Sequence, residues 1–404
     1  MKIVMVILWL GLIGQGIAQW FFDANMINSW SSHPFFYKND SSDLIINPSF
    51  RLTREWDHVS LDYSGDVYRY REVETRNHYF HDVNLSLFND KISVGLNYNQ
   101  RFNTSNDYSY LNYHTMGISV RSAEIKSIPG FRFTGAANQV YYHELPEYDN
   151  LKINAGFSFR KRLRTKTTLF LYSSIDVKIY TGEALSYVVP EDSSIAFGKI
   201  TGGGPGPGGG MGGSGGSSRG GGMLMPGFQD NHPIYQETDY SNVVKWNMSL
   251  RLAQSLHQRL GLAVTGKLGR VVGGDSRLLS GPGTTTESSD IFDQSMGYHD
   301  VSAGIMLTYV APRMIVNRFG YDLNHLEYIN EGIFSNDTTY LSTTLRRDDR
   351  HTFWISTSKS FYPDWPIIRE INLEGEAVLY MLKSNSYWYD FTGHTISISF
   401  TFKM

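Results

Sequence analysis

From about residue 58 to its end, this chain alternates apolar and polar residues at a period of two. That single feature restricts it to strands with one apolar and one polar face. Val83, Leu85 and Leu87 alternate with Asn84, Ser86 and Phe88. The tight Asn89-Asp90-Lys91 turn follows, and then Ile92, Val94, Leu96 and Tyr98 alternate with Ser93, Gly95, Asn97 and Asn99, which predicts a hairpin. The signature recurs at Leu151–Phe159, Val244–Leu252, Leu260–Leu268, Val301–Tyr309 and Ile371–Met381. These runs are about 10 to 13 residues long, longer than the usual globular strand and long enough to cross a bilayer at a tilt. Their apolar faces carry no charge. Lys152, Arg160, Lys245, Arg251, Lys267, Glu374 and Glu376 all fall on the alternate face. Charge on a lipid-facing midplane costs about 2 to 4 kcal/mol, so the alternate face is the expected lumen and these seven are the candidate lining charges. In lipid every backbone donor and acceptor must pair internally, and a closed barrel is the β solution.

The connections sort into two classes that alternate along the chain. Short ones stand at Asn89-Asp90, 161–164, 257–259, 311–313 and 362–366, and longer polar ones at about 103–109, 142–150, 182–242, 273–296, 325–349 and 384–392. Tight turns on one side of a membrane and long loops on the other produce this asymmetry. Counting back from the end gives strand starts near 393, 369, 350, 314, 297, 260, 243, 167, 149, 131, 110, 92, 79 and 58, about fourteen strands of an all-β, antiparallel, up-and-down barrel. The segment 44–53 with a partner before it gives sixteen as the alternative, but Pro48 argues against a central strand there. Residues 19–57 are therefore expected to be a non-barrel segment packed in the lumen, since Phe21, Phe22, Trp30, Phe35, Phe36 and Tyr37 are too aromatic for a free tail.

Residues 1–18 read as an export signal: Lys2, the apolar run Ile3–Ile13, and Gly16-Ile17-Ala18 before an expected mature start at Gln19. The chain has no cysteine, which excludes disulfides and thiolate chemistry. A net charge of -3 gives no reason to expect nucleic acid as a partner.

The last residues carry a resemblance. Ile396, Ile398, Phe400, Phe402 and Met404 are apolar at every second position. In this the chain resembles bacterial outer-membrane β-barrel proteins, which end in an aromatic alternating strand. The resemblance implies that Phe400, Phe402 and Met404 are read by the barrel-assembly machinery. It also implies surroundings of outer-membrane lipid and lipopolysaccharide in a Gram-negative cell. Here Met, not Phe, stands last. The Tyr- and Trp-rich, cysteine-free sequence further resembles barrels of Bacteroidota.

No catalytic motif is legible. The Gly-rich stretch 202–227 lacks the Lys of a phosphate-cradling loop and reads as an extracellular loop. Gly274-Asp275-Ser276 resembles a lipolytic Ser block without its α/β context, and the His299-Asp300 pair has no spacing motif to fix a geometry. The histidines lack metal-ligand spacing, so neither metal nor cofactor is expected. Aromatics near strand ends, among them Tyr68, Tyr70, Tyr79, Phe80, Tyr141, Tyr142, Tyr187, Trp354, Trp365 and the Tyr387-Trp388-Tyr389 run, are expected at membrane interfaces. The expected function is passage or binding of a small solute through a polar bore. An accessory barrel of a surface complex and an outer-membrane hydrolase are the alternatives, and a secreted soluble sandwich is the alternative to the whole scheme.

Overall fold

Each alternating run forms a strand, and each strand pairs with the next in sequence. The computed structural model describes residues 19–34, 38, 42–182, 242–274, 296–336, 339–365 and 367–404. The expected signal 1–18 and the Gly-rich stretch 202–227 lie outside the described residues. The strands are β1 Gln19–Ser31, β2 Asp43–Trp56, β3 Val59–Tyr70, β4 His78–Phe88, β5 Ile92–Asn103, β6 Tyr113–Ser122, β7 Phe131–Tyr142 and β8 Asn150–Arg162. They continue with β9 Thr167–Tyr180, β10 Val243–His257, β11 Leu260–Gly273, β12 Tyr298–Ala311, β13 Ile315–Phe334, β14 Tyr340–Phe361, β15 Glu370–Ser384 and β16 Phe391–Lys403. All sixteen are antiparallel to their neighbours, and β1 closes on β16, from Asp23↔Lys403 to Ser31↔Thr395. The ring leaves no edge strand, so the backbone satisfies itself without water.

The count is sixteen, because residues 19–57 are not a plug. Residues 19–31 and 43–56 are β1 and β2, full members of the wall. Pro48 is accommodated there by a neighbour. It pairs with Met26 on β1 and stands opposite Val67 on β3, between the pairs Ile46↔Arg69 and Ser49↔Asp66. Proline has no N–H to give the Val67 carbonyl. Asn47 Nδ2 donates to that carbonyl instead, at 2.9 Å.

Two faces follow from the pleat. Met26, Phe50, Leu96, Ile153, Ile175, Leu250, Leu252, Val264, Val301, Ile305, Phe353, Leu373, Leu379, Ile396, Ile398 and Phe400 are exposed on the outside, the apolar belt of a wall that faces lipid. Gly65 gives the Phe50 ring room to lie across the outer wall. Asn, Ser, Thr, Gly and most charges face inward. No helix among the described residues is long and apolar enough to cross a membrane.

The buried apolar residues gather at the long-loop end. Tyr110, Leu111, Val140, Tyr142, Leu145 and Tyr148 form one cluster, and burial there pushes the Tyr110 phenol up to about 12 against the pull of Arg76. Asp43 accepts the Arg71, Glu72 and Val73 amides at 2.9, 3.0 and 3.2 Å, which fixes the connection between β3 and β4. The stretch 325–349 is not simply a loop. β13 and β14 carry on through most of it as a long hairpin, with a register shift between Glu327 and Gly332. Strands of 20 and 22 residues exceed the roughly 9 to 11 needed to span, so this hairpin stands clear of the membrane.

Candidate functional site: the barrel lumen

Cross-strand partners share a face, so the register orders the inner wall row by row. On β8, β9 and β10 the row nearest the short-turn end is Arg162, Thr168 and Ala253, and the row above it is Arg160, Phe170 and Arg251. The next is Ser158, Tyr172 and Ser249, joined by Lys267 on β11. Higher rows hold Asn154, Asp176 and Lys245, then Lys152 and Lys178. The Arg160 guanidinium lies 5.2 Å from the Phe170 ring centre. Lys245 is engaged elsewhere: its Nζ reaches Asp300 at 2.6 Å and sits 4.4 Å over the Tyr298 ring. Lys245 is buried and Asp300 partly so, and the pair fixes β10 to β12 across β11. Gly269 makes room for it, since a Cβ there would meet Asp300 and the Lys245 stem.

Glu374 and Glu376 face inward on β15, opposite Ser358 and Ser356. Glu374 approaches Arg318 on β13 at 3.9 Å, a half-exposed pair. A salt ladder between these acids and the β8–β11 cations is not formed, because β15 lies four or more strands away around the ring.

The sequence reading missed the acidic part of the wall. Asp62, Asp66 and Asp82 face inward on β3 and β4. Arg51 and Thr53 hold Asp62, at 2.7 and 2.6 Å. Asp66 is bonded by Ser49 and Asp82 by Asn99 and Asn84. Neither Asp66 nor Asp82 forms an ion pair among the described residues. In a ring of sixteen, β3 and β11 are eight apart and face each other. Asp66, Asp82, Arg251 and Lys267 each stand near the middle of their strands. The lumen therefore carries a carboxylate arc opposite a cationic arc near mid-height. Low-dielectric walls focus the field between them.

Several expected interface aromatics belong to the inside. Tyr68, Tyr70, Phe80, Tyr142 and Trp354 share the lumen face. Trp354 lies flat against the wall over Gly320, and its Nε1 donates to Asp322 at 2.9 Å. Tyr380 lies likewise over Gly393. An alternating strand shows a Trp or a Tyr on its polar face, but not the glycine on the next strand that lets the ring lie down. Tyr79 and Tyr141 do face outward, Trp365 is exposed at the short-turn end, and Tyr187 lies outside the described residues.

Tyr387, Trp388 and Tyr389 are not at an interface. They form a 3-10 turn whose Trp388 and Tyr389 are buried with Phe334. Tyr389 covers the Arg346 guanidinium at 3.2 Å from its ring centre. Arg346 in turn bonds Glu331 at 2.9 Å and Asp348 at 3.0 Å, so Asp348 is part of a buried ion cluster.

The features suggestive of catalysis do not assemble. His299 pairs with Glu327 and Asp300 with Leu326, so consecutive side chains point to opposite faces. His299 Nδ1 accepts the Val271 amide at 3.1 Å and Asp300 is bound to Lys245. Asp275 and Ser276 lie outside the described residues. No group of His, Asp or Glu among the described residues is arranged to hold a metal ion.

A closed, sixteen-stranded ring with an apolar exterior and a polar, charged interior is a transmembrane β-barrel. No protein-family model matches the chain, and no curated protein matches its sequence. Solved structures do. OccAB1 of Acinetobacter baumannii aligns over 96% of each chain at 8% identity, with a TM-score of 0.52. OpdK of Pseudomonas aeruginosa, crystallised with vanillate, aligns over 96% of this chain and 99% of its own at 9% identity and a TM-score of 0.44. OprD of Pseudomonas aeruginosa, an outer membrane protein, covers 95% of this chain and 94% of its own at 7% identity and 0.45. The likeness to OccAB1 is one of fold.

Proposed function

We propose that the chain is an outer-membrane porin-like barrel that passes a small polar solute. The observation that carries this reading is the lumen itself. A continuous inner wall of Asn, Ser, Thr and Gly bears opposed Asp66/Asp82 and Arg251/Lys267 arcs near mid-height, and none of these four forms an ion pair among the described residues. A purely structural barrel has no use for unpaired charge on its inner wall, because each such group costs desolvation unless water or solute reaches it. Arg160, Arg251, Lys267, Glu374 and Glu376 are the lining charges of this passage, while Lys245 is structural and Lys152 belongs to the uppermost rows. On this reading the short-turn end faces the periplasm and lipopolysaccharide surrounds the long-loop end. The alternating β16 face with Phe400, Phe402 and Met404 is the feature that the assembly machinery reads. The closed wall, and the absence among the described residues of an assembled acid–base constellation, support passage over the hydrolase reading.

Liposome swelling tests it. Vesicles carrying the barrel swell in small polar solutes such as glycine or arabinose, and do so more slowly as solute size rises. Vesicles with folded barrel that swell no faster than empty ones overturn the reading.

A further inference from the structure

The inner wall holds a cleft to which the passage reading assigns no role of its own. It lies at the short-turn end, across the β16–β1 closure, and is an open cleft of about 560 Å³. That volume falls in the range of small-molecule sites, roughly 300 to 1,000 Å³. Its charges run in a row. Glu370 on β15 pairs with Lys403 on β16, Lys403 with Asp23 on β1, and Asp23 with Arg51 on β2, all on one face. The cations in this row are spoken for. Lys403 bonds Glu370 at 3.0 Å and Arg51 bonds Asp62 at 2.7 Å. Asp23 stands between them and, with Glu55, forms no ion pair among the described residues. Phe21 is one inward-facing step from Asp23 along β1 and sits diagonally across from Glu55 on β2. Two carboxylates that form no ion pair thus flank Phe21 on the inner face. The remaining base, Arg369, is exposed at the rim, 5.9 Å from the Phe21 ring centre, at the outer limit of a cation–π contact. The ring already draws a cation, and draws it weakly.

We propose that this cleft binds a small organic cation, with its ammonium head between Asp23 and Glu55 and against the Phe21 ring. Carboxylates answer its charge, and the ring answers the methyl or methylene groups that a bare metal ion lacks. Occupancy displaces the Arg369 guanidinium from over the ring.

The test is calorimetric titration of the detergent-solubilised barrel with choline, with glycerol and acetate as neutral and anionic controls. Choline gives a saturable isotherm and the controls give none. Glu55→Gln weakens choline binding about tenfold, as loss of a charge-assisted contact requires. Phe21→Leu, which keeps the wall packed, weakens it to a similar degree and serves if Glu55→Gln does not fold. Absence of saturable choline binding overturns the proposal, and so does binding unchanged in both folded variants. Equilibrium binding needs no open path, so a barrel that binds choline without passing solute sinks the passage reading alone. One that passes solute without binding choline sinks only the site.

Discussion

The buried ion cluster above the membrane allows one prediction to be worked through. Arg346 pairs with both Glu331 and Asp348, and the three side chains are 4%, 3% and 0% exposed. Arg346→Met keeps the packing volume and leaves two carboxylates facing each other out of water. Removing one partner of a buried ion cluster costs about 3 to 5 kcal/mol. The barrel ladders lie outside this cluster, so the penalty falls on the connection it holds: Tyr389 stacked on the guanidinium, and the Phe334 amide donating to Ser386 Oγ at 3.1 Å. A loss of about 4 kcal/mol raises the opening equilibrium of that connection roughly a thousandfold. Hydrogen exchange reads it directly. Amide protection across 331–335 and 386–390 falls by about two to three orders of magnitude, while the midwall strands keep theirs. Adding Glu331→Gln and Asp348→Asn removes the stranded charges and restores most of the protection. Exchange unchanged in Arg346→Met, or a loss spread evenly over the whole barrel, refutes the assignment of Arg346 as the bolt between the β13–β14 hairpin and the 385–390 connection.

Other perturbations follow from the same contacts. Gly320→Ala places a Cβ 2.0 Å from the Trp354 ring, so the indole leaves the wall and loses its bond to Asp322. Its fluorescence maximum shifts, and stability falls by about 1 to 3 kcal/mol in a denaturant titration; an unmoved spectrum contradicts the flat-ring arrangement. Asn47→Ala strands the Val67 carbonyl beside Pro48 and costs about 1 to 3 kcal/mol, whereas the same change at Asn28, on the outer face, costs less. Replacing Arg251 and Lys267 with Gln leaves the Asp66/Asp82 arc unopposed, so the reversal potential in a salt gradient moves towards cation selectivity. Movement the other way contradicts the opposed-arc description.

Most of the wall was legible in the residues. The fourteen strand starts read from the alternation fall within about three residues of those observed, except β14, which begins at Tyr340 because its hairpin outgrows the membrane. The reason is physical: a lipid-facing wall forces one apolar face, and a solvated lumen forces the other. β2 was lost to Pro48 alone. Leu44, Ile46, Phe50, Leu52 and Trp56 alternate with Asp43, Asn47, Ser49, Arg51, Thr53 and Glu55, broken by Ile45 inside and Arg54 outside, and the Asn47 side chain bonds the Val67 carbonyl that the proline leaves. β1 blurs its own pattern, with Phe21 and Ile27 inside and Asn28 outside. Loop chemistry was not legible. That Tyr389 covers Arg346, or that Asp43 gathers three amides, depends on where long connections fold back, and no periodicity records that. The opposed charge arcs also needed closure: Asp66 and Lys267 face each other only because the ring numbers sixteen.

The central claim is a water-filled path through this ring, and single-channel recording of the refolded barrel in a planar bilayer tests it most directly. The account predicts discrete ionic current steps whose selectivity responds to Asp66, Asp82, Arg251 and Lys267. A barrel whose gel mobility shows it folded and inserted, yet which never conducts, contradicts it.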